Sequence, residues 1–310
     1  NSELFEENYF NQTLFKYEMK NNIIYKRINS VFGLGIEREE LSRKDFDNKT
    51  VNQDLQFLYT QFDIEFLNYF NLIAGTRYDN YANYNSQISN KIAIGMSLSH
   101  NLKINSSVGT GFKRPDFRQR YFNFTNSTIG YTVFGREIVL DKLASMQDQG
   151  MIQIMFVDFS EIDSPLLSEE STNINIGINY KTKHLSCNLN FFKNNLDNLI
   201  EAQLVANTIN SLPVFTYFNI NQVETKGIEF HSSYNITGNL KIKAGYQLLY
   251  AHDKETLKLF KEGKIYANNL ETGASFILNK DDYIGLFNRS KHMGNIKIFY
   301  DVNEKTELNT

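Results

Sequence analysis

At 310 residues the chain is long enough for one large domain or two ordinary ones, and its formal net charge of −3 argues against a basic nucleic-acid surface. Hydrophobic residues make up 41% and charged residues 22%, and the absence of any run of about 18 apolar residues excludes a transmembrane helix. A transmembrane barrel survives that test, because its strands alternate between lipid and lumen and their average hydropathy is unremarkable. The 18 Tyr and 25 Phe, with no Trp, point the same way. The single cysteine, Cys187, leaves no internal disulfide and no multi-thiolate metal site. Pro115, Pro165 and Pro213 all fall outside the alternating segments, as hydrogen-bonded strands require. The start, Asn1-Ser2-Glu3-Leu4, is neither an initiator methionine nor a signal peptide, and the end reads as a starting strand. The expectation is a fragment.

Taken in order, the chain reads as strands. Phe10 to Lys20 alternates through Thr13, Phe15, Tyr17 and Met19, with a tight turn expected at Asn21-Asn22. Ile28, Phe32, Leu34 and Ile36 mark a second strand, and Glu39 to Gln53 reads as a long polar connection. The third strand sets Leu58, Thr60, Phe62, Ile64 and Phe66 against Gln61, Asp63 and Glu65. A turn near Asn68 leads to the fourth, Leu72 to Tyr78, and a polar connection runs to about Asn90. Strand five carries Ile92, Ile94, Met96 and Leu98, with a turn at His100-Asn101. Strand six carries Leu102, Ile104, Ser106 and Val108.

The stretch from about 113 to 170 is too long for an ordinary connection and reads as a large functional loop. Within it Glu137 to Gln149 predicts a short helix, with Val139, Leu143 and Met146 on one face and Gly150 as its C-cap. Strand seven shows Ile174, Ile176, Ile178 and Tyr180, with a turn at Lys181 to His184. Strand eight sets Cys187, Leu189 and Phe191 against Asn188 and Asn190, and a connection of about two dozen residues then reaches Tyr217. Strand nine sets Ile228, Phe230 and Ser232 against Glu229, His231 and Ser233, before a turn at Ile236-Thr237-Gly238-Asn239. Strand ten sets Leu240, Ile242, Ala244, Tyr246 and Leu248 against Lys241, Lys243 and Gln247. After another long connection Ile296, Ile298 and Tyr300 mark strand eleven, and Asp301 to Lys305 turns again.

Connections alternate short and long along the whole chain. In an up-and-down meander this gathers the tight turns at one end and the long loops at the other, as in outer-membrane barrels. Apolar faces of roughly 9 to 11 residues per strand match a tilted crossing of the hydrocarbon layer. The opposite faces, rich in Asn, Lys, Glu and Gln, suit a wet lumen. The expected fold is an all-β, antiparallel, transmembrane up-and-down barrel with long extracellular loops. A soluble lipocalin-like barrel or sandwich is the alternative, disfavoured by the strand number and the polar inner faces.

Gly109-Thr110-Gly111-Phe112-Lys113-Arg114-Pro115-Asp116-Phe117-Arg118-Gln119 resembles the GxGFRAPxxxxL segment of TonB-dependent outer-membrane receptors, the FRAP/YRAP box of their haem-uptake branch. Ser164-Pro165-Leu166-Leu167 is similar to the NPxL box paired with it, with Ser in place of Asn, and Leu167 to Ser171 follows as LxPExS does. Leu72 to Asp79 (LIAGTRYD), Asn219 to Glu229 (NINQVETKGIE) and Asn288 to His292 (NRSKH, with Ser in place of Pro) resemble further family segments. Asn123 to Asn126 followed by Gly130 to Gly135 resembles a ferric-siderophore and cobalamin-type branch. The resemblance covers roughly residues 55–302. It implies a 22-stranded barrel plugged by an N-terminal domain, of which residues 1–310 carry a central portion of about 11 to 12 strands without the plug.

Candidate ligand contacts follow from the boxes and the loop. Lys113, Arg114, Arg118 and Arg120 lie just beyond a strand end, where they would grip haem propionates or an anionic ferric chelate, or else pair with lipopolysaccharide or the loop's own acids. Tyr121, Phe122, Phe124, Tyr131 and Phe134 would stack on a planar ligand or form the loop's private core, and the core is preferred. Phe112, Pro115, Ser164, Pro165 and Leu167 enter through the two boxes. His252 and His292 flank one long outer loop and could approach a ligand, although a solvated loop histidine is the plainer reading. His100 and His184 fall at the short turns, and His231 on the lumen wall. Asp158, Glu161 and Asp163 fit no calcium-loop spacing.

No Walker loop, nucleophile elbow, HExxH or zinc spacing occurs, so no enzyme activity and no cofactor is expected. The resemblance implies an outer-membrane importer in a Gram-negative bacterium. The cargo that the resemblance implies is haem, a ferric siderophore or cobalamin, in that order. Energy comes through the plug from the TonB-ExbB-ExbD complex, and a surface lipoprotein is a possible further partner. A passive porin or adhesin barrel is the alternative from another class.

Overall fold

The computed structural model describes residues 9–46, 50–82, 84–220, 222–286, 289–303 and 306–310. Asn1 to Leu4, Asn221, Asn288 and Lys305 lie outside the described residues. Period-two alternation becomes strand almost throughout. The chain begins with β1 (Phe10–Tyr25), β2 (Ile28–Arg43), β3 (Thr50–Phe66), β4 (Phe70–Tyr81), β5 (Gln87–Ser97) and β6 (Leu102–Lys113). Residues 114–168 then hold α1 (Phe117–Tyr121), β7 (Asn123–Asn126), β8 (Tyr131–Phe134), α2 (Val139–Asp148), β9 (Ile152–Met155) and α3 (Phe159–Ile162). They are followed by β10 (Glu169–Lys181), β11 (Leu185–Asp197), β12 (Leu199–Thr208), β13 (Pro213–Ile220), β14 (Val223–Asn235) and β15 (Leu240–Asp253). Last come α4 (Lys254–Lys261), β16 (Ile265–Asn268), β17 (Ser275–Leu278), β18 (His292–Asn303) and β19 (Thr306–Asn309).

Twelve strands form one antiparallel sheet in the order β1-β2-β3-β4-β5-β6-β10-β11-β14-β15-β18-β19. Its strands follow one another up and down, interrupted only where the chain builds structure in a connection. A five-stranded sheet, β7-β8-β13-β12-β9, and the β16-β17 hairpin make up that structure. The main sheet has one strand more than the eleven marked by alternation, because the expected starting strand at the end is β19.

Three boundaries differ from expectation. Asn21 and Asn22 lie inside β1, paired with Phe32 and Val31, and the turn falls at Lys26-Arg27 with Lys26 at φ 55°. Asn-Asn suits a left-handed turn in isolation. The pairing of Ile23, Ile24 and Tyr25 with Ser30, Asn29 and Ile28 carries the strand past it. The long polar connection from Glu39 to Gln53 is mostly strand, since β2 runs to Arg43 and β3 starts at Thr50. Sixteen residues of β2 span roughly 50 Å at ~3.4 Å per residue, well beyond a ~30 Å hydrocarbon layer, so polar residues continue the ladder into water. The stretch before Tyr217 is the β12-β13 hairpin. Its alternation is broken by a bulge between Leu204 and Ala206, which buries both Val205 and Ala206, and its turn needs the left-handed Ser211. Pro213 takes the first position of β13, where a missing N–H costs least.

Register fixes two faces, because directly paired residues point to the same side. On the outer face Leu34, Leu58 and Ile92 are half exposed or more, and Ile296 is 71% exposed, although all are apolar. An apolar surface of twelve strands far exceeds what a water-facing monomer leaves bare and suits lipid. The inner face is polar. Asn179 donates to Asn105 at 2.9 Å and Asn188 to Asn179 at 2.5 Å. Glu229 accepts from Asn190 at 3.4 Å and from Gln247 at 3.1 Å. Phe57 and Tyr59 stack on this face at 6.4 Å. A Cβ at Gly35 would stand 2.5 Å from the Phe57 ring and from the Tyr17 carbonyl, so only glycine leaves room for Phe57. Arg77 stacks over that ring at 4.2 Å while its guanidinium holds Asp79 at 2.7 Å.

Candidate ligand-binding site at the sheet mouth

All connections longer than four residues leave one end of the twelve-stranded sheet, and the largest folds into a lid. Its core is aliphatic. Val139 and Leu143 from α2, Ile162 from α3, Phe134 from β8, and Val205, Ala206 and Val214 from the β12-β13 hairpin pack together with essentially no exposure. The predicted helix is there, with Val139, Leu143 and Met146 on the packed face and Gly150 at φ +67° behind it. Two sequence-distant segments are therefore needed to close one core. The hairpin inserts between lid strands, β13 pairing with β8 in parallel and β12 with β9 antiparallel.

Arg136 fastens these pieces. Its guanidinium is 8% exposed and donates to three backbone carbonyls, of Glu161 at 2.7 Å, Ser164 at 3.0 Å and Tyr217 at 3.1 Å. The cation also lies 4.5 Å from the Phe218 ring, and burial pushes its pKa below the ordinary arginine value. Gly135 beside it has no space for a side chain, since a Cβ would stand 2.4 Å from the Arg120 carbonyl carbon. The Ser164 to Leu167 box is part of the same fastening. Leu166 is buried, and its carbonyl accepts from the Tyr84 hydroxyl, whose pKa burial pushes up to about 12 so that it stays a donor. Asn219 clasps Leu167, accepting from its N–H at 2.7 Å and donating to its carbonyl at 3.0 Å. Ser164 and Pro165 are exposed.

The lid leans inward. Phe117 of α1 packs with Leu41, Phe46 and Val51, and along β3 the buried residues are Val51, Gln53, Leu55 and Phe57, all of inner-face parity. Asp116 and Gln119 cap α1 reciprocally, each accepting at 2.8 Å from the other's N–H, directly after the buried Pro115. The basic cluster is engaged with the protein's own acids. Arg114 holds Glu39 at 2.5 Å and stacks against Tyr81 and Phe117. Arg120 reaches Glu137 at 3.2 Å and the Gln53 amide at 3.2 Å. Lys113 holds Glu169 and Arg118 holds Asp116, both at 3.3 Å and at more exposed positions. Two of these acids, Asp116 and Glu137, belong to the loop, and two, Glu39 and Glu169, to the wall strands β2 and β10. Phe112 packs edge-on to Tyr81 at 6.2 Å.

Of the loop's aromatic residues Phe134 joins the aliphatic core, and Tyr121 and Phe122 pack against the second cluster of Leu41, Phe46, Val51 and Phe117. On the opposite face of the five-stranded sheet Phe122 and Phe124 stack at 5.2 Å, Phe124 meets Tyr131 at 6.1 Å, and Tyr131 meets Phe215 at 6.4 Å. Tyr121 sits beside them against Phe46. All are half-buried, which leaves a continuous ladder of ring surface open to solvent at the mouth. Phe215 escaped sequence reading because the hairpin's period was hidden by its bulge. The alternation of Phe215 and Tyr217 against the buried Val214 and Thr216 was the available signal.

The histidines do not join this face. His292 pairs with Leu248, so it shares the outer side, and its Nδ1 meets the Tyr246 hydroxyl at 2.8 Å. His252 pairs with Glu224, also on the outer side, between the rings of Tyr250 and Tyr283 at 6.2 and 6.0 Å. Asp158 and Glu161 cap α3 reciprocally.

A family model described as "TonB dependent receptor-like, beta-barrel" matches residues 4–305. No curated sequence matches the chain. Among solved structures it resembles the siderophore receptor PirA from Pseudomonas aeruginosa, with a TM-score of 0.65 at 13% identity over 97% of this chain and 45% of that one. The ferric enterobactin receptor PfeA in complex with BCV-L6 gives 0.63 at 14% identity, over 97% of this chain and 41% of that one. The FrpB iron transporter from Neisseria meningitidis gives 0.60 at 14% identity, over 97% and 42%. At these identities the likeness is one of fold. This chain spans less than half the length of each.

Proposed function

We propose, from the premise that this chain belongs to the TonB-dependent receptor-like β-barrel family, that it forms wall and mouth of an outer-membrane importer of a ferric siderophore. The family is one of receptors and transporters. The observation that carries the ligand class is the half-exposed ladder of Phe122, Phe124, Tyr131 and Phe215 on the inward-leaning lid. Ring faces bind planar, aromatic ligands through stacking, and a ferric chelate with aromatic arms fits them. The PfeA and PirA structures, of siderophore receptors by name, support that class. Haem loses its lead, because its expected ligands His252 and His292 are of outer-face parity and the two boxes serve the lid's own fastening. Energy coupling would reach the chelate through the plug and the TonB-ExbB-ExbD complex that the family resemblance implies. This chain's share is binding and the polar passage wall.

The test is titration of the full-length receptor in detergent with a ferric tris-catecholate and with haem. Saturable binding of the tris-catecholate is expected. Phe124→Ala with Tyr131→Ala should weaken it about tenfold, at ~0.5 to 1.5 kcal/mol per ring contact. His252→Ala and His292→Ala should leave it unchanged. Saturable haem binding lost in either histidine variant would sink the siderophore reading.

A further inference from the structure

The inner face of the sheet changes chemistry along its length. Toward the long connections a concavity of about 400 Å³ is paved with amides, those of Asn175, Asn190, Asn194 and Gln247. Two rows beyond Asn190, toward the tight turns, cross-strand pairing sets Lys181, Ser186, Ser233, Lys243 and Lys297 side by side across β10, β11, β14, β15 and β18. Five strands at ~4.8 Å spread this row over roughly 19 Å. The row before it, ~7 Å nearer the mouth, holds Lys103, Asn179, Asn188, His231 and Asn295. A second concavity, of about 350 Å³, opens beside Lys103, Asn105 and Asn179, with Glu65 on its far side.

Lys243 and Lys297 are paired directly opposite one another, an arrangement of like charges that costs a sheet stability. Both are exposed, as are Lys103 and Lys181. Among the described residues none of the four forms an ion pair with an acid. Glu229 and Asp301, the nearest acids of this face along β14 and β18, each stand two rows from the lysine row. Two rows are roughly 14 Å, beyond a screening length of ~8 Å. Glu229 is in any case taken up by Asn190 and Gln247. On the β1 to β4 half of the same face, by contrast, Lys16 holds Glu18 at 3.1 Å and Arg77 holds Asp79 at 2.7 Å. Positive charge without a counter-charge is therefore gathered at one end of one side of the lumen.

We propose that the row of Lys181, Lys243 and Lys297 is an anion site at the exit of the passage, which holds the imported chelate before its release. The ammonium groups act as charge-assisted donors to the catecholate oxygens, with the Ser186 and Ser233 hydroxyls between them. The amides above carry no net charge, so they solvate an anion without trapping it, and the cations wait at the far end of its route. Parity excludes lipid phosphate as the occupant, because these side chains share the face of Asn190 and Gln247 and not that of Ile228 and Leu248. The inference rests on the siderophore reading above, which supplies an anionic cargo.

The experiment uses the full-length receptor in detergent, with both ends of the passage open to the probe, titrated calorimetrically with a ferric tris-catecholate. Two saturable sites are expected, a tight one at the aromatic ladder and a weaker one at the lysine row. Lys181→Gln/Lys243→Gln/Lys297→Gln should weaken the second about thirtyfold, at ~threefold per exposed charge, and leave the first unchanged. The corresponding Lys→Arg triple should retain both sites, which separates charge from misfolding. Phe124→Ala with Tyr131→Ala should weaken only the first. A single site indifferent to the Gln triple would overturn the exit site and leave the siderophore reading standing. Binding at the lysine-dependent site alone would overturn the ladder and keep the exit site. Were the row filled by acids of the plug, the Gln triple would lower the receptor's melting temperature and no second site would appear, which also overturns the proposal. Absence of any chelate binding would sink both readings.

Discussion

Replacing Arg136 with alanine is expected to unfasten the lid while leaving the twelve-stranded wall folded. The substitution strips donors from the carbonyls of Glu161, Ser164 and Tyr217 at once. Each buried acceptor left without a partner costs about 1 to 3 kcal/mol, so the lid should lose on the order of 3 to 5 kcal/mol after water re-enters. Three carbonyls from two segments, Glu161 and Ser164 at the end of α3 and Tyr217 in β13, meet one planar fork, and a lysine in its place can reach only part of that set. Arg136→Lys should therefore recover less than half of the loss. Limited proteolysis reads the outcome. Cleavage should appear within residues 137–163 and in the β12-β13 hairpin, with the wall strands untouched. Resistance equal to the parent would show that the guanidinium is not the fastening.

Leu143→Ala should have an effect of similar size from a different cause. Leu143 is fully buried at the centre of the aliphatic cluster, against residues from both the lid and the hairpin. Truncation removes its transfer energy and leaves a cavity, together about 3 to 5 kcal/mol, whereas Leu143→Met should cost under about 1.5 kcal/mol. A lid with one small core has little stability to spare. Chelate binding should fall together with amide protection of α2, although Leu143 faces away from the aromatic ladder. If alanine were tolerated as well as methionine, the cluster would not be the lid's core.

Most of the wall could be read in the sequence because a strand's period of two survives wherever one face is polar and the other apolar. The run Ile174, Ile176, Ile178 and Tyr180 against Asn175 and Asn179 needs no tertiary information. The α2 helix was legible for the same reason, with Val139, Leu143 and Met146 at helical spacing before a left-handed Gly150. Signals that depend on partners far away in the chain were not. Asn21-Asn22 has turn chemistry, yet the pairing of Ile23 to Tyr25 moved the turn to Lys26. The β12-β13 hairpin is held by β8 and β9, more than fifty residues earlier, and its bulge erased the alternation that would have announced it.

The candidate site shows the same division. Lys113, Arg114 and Arg118 were visible as a basic cluster, but Glu39, which takes up Arg114, lies 75 residues away. Tyr131 was singled out, while its neighbour Phe215 was hidden in the hairpin. His252 and His292 flank one connection in sequence. Only their pairing with Glu224 and Leu248 assigns them to the outer face.

Hydrogen exchange of the full-length receptor, with and without a ferric tris-catecholate, tests the central claim most directly. The prediction is added protection at Phe122 to Phe124, Tyr131 to Val133 and Val214 to Tyr217, with none at His252 or His292. Protection around the two histidines with an unchanged lid would contradict it.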